Sequence, residues 1–140
     1  MNSEVTRSIR LPARVKNLEK LMEFILNLLK ETGIGEKEAS DIHLAADEAC
    51  TNVINYAYPE DAKKDIEVTF RNRADAIEIE IRDWGRPFNP LQAPPPDLNL
   101  ELEERPIGGL GIFLMKKFTD RVEYRREDGS NLLTIVKNTE

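Results

Sequence analysis

Two side chains one helical turn apart are the first sign of chemistry in this chain. Glu48 and Asn52 share one face of a helix if the chain turns by about 100° per residue. A carboxylate beside a phosphate can take a proton from an attacking hydroxyl. An asparagine oxygen is a hard ligand that suits Mg²⁺, which completes its coordination with phosphate oxygens and water. The pair therefore indicates phosphate chemistry, although a lone helix-face glutamate is usually only solvated.

A second group of residues follows an apolar run later in the chain. Asp83 can accept a hydrogen bond from the exocyclic amine of adenine, and Gly85 lets the backbone approach a base. A site built around that amine rejects guanine, whose carbonyl leaves the carboxylate unpaired. Taken alone, an Asp-x-Gly sequence is more often a turn that ends a strand.

Glycines stand where a third group begins. A helix is predicted from about Leu110, between Gly109 and Gly111. A glycine-rich helix N-terminus presents free N–H groups and a positive dipole end to phosphates. Each of the three groups is a modest signal alone, but their order along the chain indicates one nucleotide site assembled from separate elements.

Helices and strands that would position these groups can be read from the periodicity. Apolar residues recur at helical spacing from Leu18 to Leu29, and a second helix from about Glu36 to Tyr56 carries the first pair. Strict alternation predicts antiparallel strands with one buried and one solvated face. The strands are expected at residues 5–11, 66–71, 77–82, 122–126 and 132–136.

The economical architecture for these elements is an α+β two-layer sandwich. We expect a mixed, mostly antiparallel sheet of about five strands with the helices on one face, because each helix needs an apolar partner. A length of 140 residues predicts a single domain, residues 1–140. Residues 86–107 show little periodicity, and a loop of that length is usually either functional or disordered.

Composition excludes several classes of function. A net charge of −6 with 33% charged residues argues against a basic nucleic-acid surface, so no direct nucleic-acid partner is expected. Cys50 is the only cysteine and His43 the only histidine, which leaves no set of ligands for a structural zinc site. No stretch is apolar enough for a membrane span or a leader. We therefore expect a cytoplasmic protein without a membrane partner.

Together the three groups resemble the boxes of the GHKL ATPase superfamily, and within it the bacterial anti-sigma-factor serine/threonine kinases. The first box, E-A-x-T-N, is found at residues 48–52, and D-x-G-x-x-F is found at residues 83–88. The third, G-L-G before an apolar helix, is found at residues 109–111. The resemblance extends from Leu11 to Val136 and implies the GHKL ATP-binding fold, with residues 86–107 as a lid over the nucleotide.

The resemblance also implies the cofactors and the roles of individual residues. ATP or ADP and Mg²⁺ are the implied cofactors, with Glu48 as the catalytic base and Asn52 as the metal ligand. Tyr56 replaces a histidine that is common in the family. Nucleotide-binding roles fall on Asn52, Asp83, Gly85, Gly109, Leu110 and Gly111.

The implied function is an ATP-dependent protein serine/threonine kinase that acts as an anti-sigma regulatory factor. Such a protein phosphorylates a STAS-type anti-anti-sigma partner and binds a sigma factor, and its relatives commonly form homodimers. An ATP-binding partner-switching module without phosphotransfer is the alternative. Glu48 and Asn52 favour the kinase. Pro106 and Ile107, which replace the small residues expected in the glycine box, favour the alternative of a module without phosphotransfer. A sensor histidine kinase is disfavoured, because His43 lies inside the nucleotide-box helix.

Overall fold

The computed structural model describes residues 4–57, 64–87, 89–92 and 109–139, without the side chains of residues 56, 57, 92, 109 and 110. The strands are β1 (Val5–Pro12), β2 (Asp65–Asn72), β3 (Ala76–Asp83), β4 (Arg121–Glu127) and β5 (Ser130–Asn138). The helices are α1 (Leu18–Thr32), α2 (Glu36–Asn52) and α3 (Gly109–Phe118). Short 3₁₀ turns cover Val15–Asn17 and Pro90–Gln92, and a π-helical turn covers Val53–Ala57.

The five strands form one sheet in the order β1-β2-β3-β5-β4. All four pairings between the described strands are antiparallel, so the parallel component of the expected mixed sheet is not found among them. The β4–β5 hairpin turns at Asp128 and Gly129, whose φ angles are 51° and 75°. Positive φ at both positions matches the twist of the flanking strands, which explains the Asp-Gly sequence.

The helices cover one face of the sheet. Buried isoleucines of β3, including Ile79 and Ile81, share a core with Ile25 of α1 and Ile42 of α2. The intervening residues on the opposite face form ion pairs instead. Arg71 Nη1, for example, lies 2.6 Å from Glu80 Oε1. The predicted α+β two-layer sandwich is therefore confirmed.

The C-terminal ends of α1 and α2 differ in how well the sequence predicts them. Gly33 closes α1 with a left-handed φ of 75°, the conformation that glycine adopts most easily at a helix C-terminus. The second helix keeps its α-helical form only to Asn52 and then widens into the π-helical turn. No described helix has both the length and the apolar character needed to cross a bilayer.

Cys50 should be inert in the native protein. The residue is fully buried on α2, and burial, with a smaller effect of Asp47, raises the pKa of its thiol to about 12. Because the thiolate is the reactive form, we expect no labelling by a disulfide reagent until denaturant is added. A Ser40→Cys variant, with its new thiol at an exposed site of the same helix, should react at once. Rapid labelling of the native wild type would contradict this packing.

Candidate nucleotide site

A cleft opens between α2 and the β3–β5–β4 side of the sheet. Its enclosed volume is about 30 Å³, well below the ~300–1,000 Å³ of ligand pockets in proteins. The apolar walls are formed by Ala49, Val53, Ile81, Pro90 and Leu133. Polar groups enter it from Asn52, Asp83, Tyr124 and Asn131. An apolar cleft with a few convergent polar groups is the usual form of a small-molecule site.

Asp83 ends β3 inside this cleft and is only 4% exposed. Its Oδ1 accepts two hydrogen bonds, from the Gly85 N–H and from Asn131 Nδ2, both at 2.9 Å. No described residue donates to Oδ2, which can therefore receive a donor from a ligand. Burial raises the pKa of Asp83, and the hydrogen bonds from Asn131 and Gly85, with the charge of Arg126, oppose that rise.

Both backbone polar groups of Gly85 make hydrogen bonds that hold it in place. Its N–H binds Asp83, and its carbonyl accepts a hydrogen bond from Arg126 Nη1 at 2.8 Å. Trp84 lies outside the group that lines the cleft and packs its ring 4.1 Å from the Arg10 guanidinium. The Asp-x-Gly sequence is therefore a strand-ending turn whose aspartate also lines the cleft, so the two interpretations of it are compatible.

Glu48 lies beside the first turn of α3. The three atoms nearest to an ideal Cβ built on Gly111 all belong to Glu48, with Oε2 at 2.7 Å. The absence of a side chain at Gly111 thus lets the carboxylate approach the helix N-terminus, where the first amide N–H groups lack intrahelical partners. Burial, followed by the neighbouring charge of Asp47, raises the pKa of Glu48. A raised pKa suits a general base that must work near neutrality.

Asn52 brings a polar group to the cleft that has no hydrogen-bond partner among the described residues. Its Nδ2 is buried and makes no hydrogen bond with the described residues, and the amide oxygen and nitrogen can exchange places by a flip. The described residues contain no cluster of three or more acidic, histidine or cysteine side chains that could hold a metal alone. A single amide oxygen nevertheless fits Mg²⁺, which takes few protein ligands when phosphates supply the rest.

The structure brings most of the predicted residues together. Asn52 and Asp83 line one cleft, and Glu48 on the same helix meets Gly111. Gly109 begins α3, but the side chain of Leu110 lies outside the described residues. Most of the predicted lid, residues 86–107, also lies outside them, as does Phe88.

From the sequence, Asn131 in the last hairpin could lie near the adenine, but a turn residue was favoured there, and the contacts of Tyr124 and Arg126 were missed. Asn131 is 5% exposed and lies directly opposite Asp83 across β3 and β5, although its place after Asp128-Gly129 favours a turn residue. Tyr124 and Arg126 of β4 both contact it. The available signal was the pairing register, because aligning the alternating residues of the two strands places Asn131 next to Asp83.

Comparison with known proteins supports one family. The family described as "Histidine kinase-like ATPase domain" matches residues 11–137. "Serine-protein kinase RsbW" of Bacillus mycoides is 27% identical over 129 residues, which cover 89% of this chain and 80% of the relative. "Serine/threonine-protein kinase BtrW" of Bordetella bronchiseptica is 33% identical over 96 residues, which cover 69% of this chain and 68% of the relative.

A solved structure shows the same fold. The crystal structure of the RsbU and RsbW domains of Rv1364c from Mycobacterium tuberculosis superposes with a TM-score of 0.67 at 15% sequence identity. The superposition covers 97% of the present chain but only 33% of the other. The likeness therefore concerns the fold of one part of that longer chain.

Proposed function

Because the chain belongs to the histidine kinase-like ATPase domain family and is a protein serine/threonine kinase, we propose that it acts as an anti-sigma factor that uses Mg-ATP. It transfers the γ-phosphate to a STAS-type anti-anti-sigma partner and also binds a sigma factor. The observation that carries this proposal is the position of Glu48, on α2, beside Gly111 of α3. One turn further along α2, Asn52 lines the cleft together with Asp83.

The two ends of the proposed site suit the two ends of ATP. The base occupies the apolar part of the cleft, where Asp83 Oδ2 accepts a hydrogen bond from the exocyclic amine. The phosphates lie toward the first turn of α3, whose free N–H groups and dipole favour negative charge. Asn52 and Glu48 are four residues apart along α2, which is about 6 Å at a rise of about 1.5 Å per residue.

The proposed reaction needs one proton acceptor at the reacting phosphate. Glu48 takes the proton of the serine or threonine hydroxyl as its oxygen bonds to the γ-phosphorus, and the bond to the bridging oxygen of ADP breaks. Asn52 would hold Mg²⁺, which would supply charge neutralisation at the phosphate oxygens when bound. The first turn of α3 contributes donors that are already oriented, so little rearrangement is needed during transfer.

Phosphotransfer to a partner is the direct test. The chain is incubated with γ-labelled ATP, Mg²⁺ and the STAS protein encoded nearest to its gene, and the label is followed by gel. Label on the STAS protein supports the kinase. Tight ATP binding in calorimetry without any transfer would instead support a partner-switching module that holds ATP.

The metal assignment predicts the behaviour of an Asn52→Ala variant. Its thermal stability without nucleotide should be close to that of the wild type, because Asn52 faces the cleft and makes no described hydrogen bond through Nδ2. Mg-ADP should raise its melting temperature much less than in the wild type, since stabilisation follows ligand affinity. Asn55→Ala, at an exposed position three residues further on, is the matched control and should respond as the wild type does. Full stabilisation of the Asn52 variant by Mg-ADP would remove Asn52 from the metal site.

A further inference from the structure

The β4–β5 hairpin directs polar side chains at Asp83, and none of them belongs to the three boxes. Asn131 is buried and donates from Nδ2 to Asp83 Oδ1 at 2.9 Å and to the Arg86 carbonyl at 2.8 Å. It is the residue of β5 that pairs with Asp83 of β3. The strand pairing therefore holds Asn131 next to the Asp83 carboxylate, where it can influence whether that carboxylate is protonated.

The orientation of the Asn131 amide is determined by its other contacts. Its Oδ1 accepts hydrogen bonds from the Tyr124 hydroxyl at 2.6 Å and from Arg126 Nη1 at 3.2 Å. A guanidinium can only donate, so the amide oxygen must face Arg126 and the amino group must face Asp83. Tyr124 and Arg126 thus ensure that Asp83 meets a donor.

This donor favours the ionised form of Asp83. Burial raises the pKa of the carboxyl, and the hydrogen bond from Asn131 is the largest influence that lowers it, followed by Gly85 and Arg126. Among the described elements, α2 lines the cleft beside Asp83 with the neutral Asn52, and β2 pairs the apolar Ile66 with it. Burial and the hairpin therefore act on the protonation of Asp83 in opposite directions.

We propose that Asn131, oriented by Tyr124 and Arg126, is a positioning residue that sets the base preference of the site by keeping Asp83 a hydrogen-bond acceptor. An ionised Asp83 accepts from the amine of adenine, whereas a protonated one can donate to the carbonyl of guanine. The inference rests on the proposed function, in which Asp83 contacts the base. It adds that selectivity depends on the hairpin as well as on Asp83.

The decisive variant is Asn131→Asp, which places a second carboxyl against Asp83. Two carboxylates in contact cannot both ionise readily, so the pair retains a proton. ATP affinity should fall by about 5- to 100-fold, the loss expected for a damaged buried hydrogen bond, and the ratio of ATP to GTP affinity should fall toward one. The ratio should recover as the pH rises and the shared proton leaves, which a merely structural role of Asn131 does not predict.

Two further variants keep the test decisive. Tyr124→Phe removes only the hydroxyl that orients the amide, and it should lower the affinity ratio by a few-fold with little change in fold. Asn138→Asp makes the same charge change at an exposed site of β5 and should leave the ratio unchanged. Dissociation constants for ATP and GTP are measured by calorimetry from pH 6 to 9, with circular dichroism to check folding.

The outcomes separate this inference from the proposed function. Failure of the wild type to bind ATP would overturn the proposed function itself. Selective ATP binding by the wild type, with the same ratio in Tyr124→Phe and in folded Asn131→Asp at every pH, would overturn only the role of Asn131. If Asn131→Asp does not fold, the ratio of ATP to GTP affinity in Tyr124→Phe decides the role of Asn131: a lowered ratio supports it and an unchanged ratio overturns it.

Discussion

Replacing Glu48 by glutamine should lower phosphotransfer by about two to four decades, the range that a positioned general base supplies. The amide keeps the shape of the side chain beside Gly111 but cannot take the proton of the attacking hydroxyl. ATP affinity should stay close to that of the wild type, because Glu48 is outside the group that lines the cleft for the base. Single-turnover transfer to the STAS partner and an ATP titration on the same preparation measure the two effects separately.

The pH dependence of transfer sharpens this prediction. Burial and the charge of Asp47 raise the pKa of Glu48, and the ionised form is the active one. The rate should therefore fall with decreasing pH, with a midpoint above that of an ordinary glutamate. Asp47→Asn removes the like charge and should move the midpoint to lower pH while changing the rate near neutrality by only a few-fold. An unchanged rate in Glu48→Gln would exclude Glu48 from the chemistry.

Replacing Asp83 by asparagine should weaken ATP binding by about 1–3 kcal/mol, the usual effect of damaging a buried hydrogen bond. The amide oxygen of the new asparagine must face the donors that Oδ1 now meets, the Gly85 N–H and Asn131 Nδ2. Its amino group must then point toward the base. It thereby presents a donor where the exocyclic amine needs an acceptor. The preference for ATP over GTP should be lost together with affinity, and calorimetry with both nucleotides measures this.

Asp75→Asn is the matched control for the Asp83 variant. Asp75 is an exposed aspartate in the turn between β2 and β3, so its replacement makes the same charge change away from the cleft. The control should bind ATP as the wild type does. Equal affinity of the wild type for ATP and GTP would show that Asp83 does not recognise the amine.

The fold could be predicted where the signal is local. Alternation in β2 and β3, the glycine after α1 and the Asp-Gly turn each depend on a few neighbouring residues, and each was confirmed. The π-helical turn after Asn52 was not predicted, because periodicity alone indicates a helix through Tyr56 and cannot show where an extra residue widens it. The change of helix type begins directly after the proposed metal ligand.

The candidate site could be predicted only in part for a similar reason. Motif residues such as Glu48 and Asp83 carry their signal in spacing along the chain. Asn131 carries none, because its contact with Asp83 depends on the register of β3 against β5 and on donors from β4. The roles of all these residues stay predictions, and the structure supplies the neighbours through which each can be tested.

At position 111 the reason for glycine lies in the neighbouring Glu48 side chain and not in the backbone conformation. Glycine in a helix is less favourable than alanine by roughly 0.5–1 kcal/mol, and the closest obstacle to a Cβ there is only the movable end of the Glu48 side chain. Alanine would therefore fit once the carboxylate had moved away or been replaced. A lineage that no longer needs phosphotransfer should lose Glu48 and Gly111 by drift, in either order, while keeping the rest of the cleft for nucleotide.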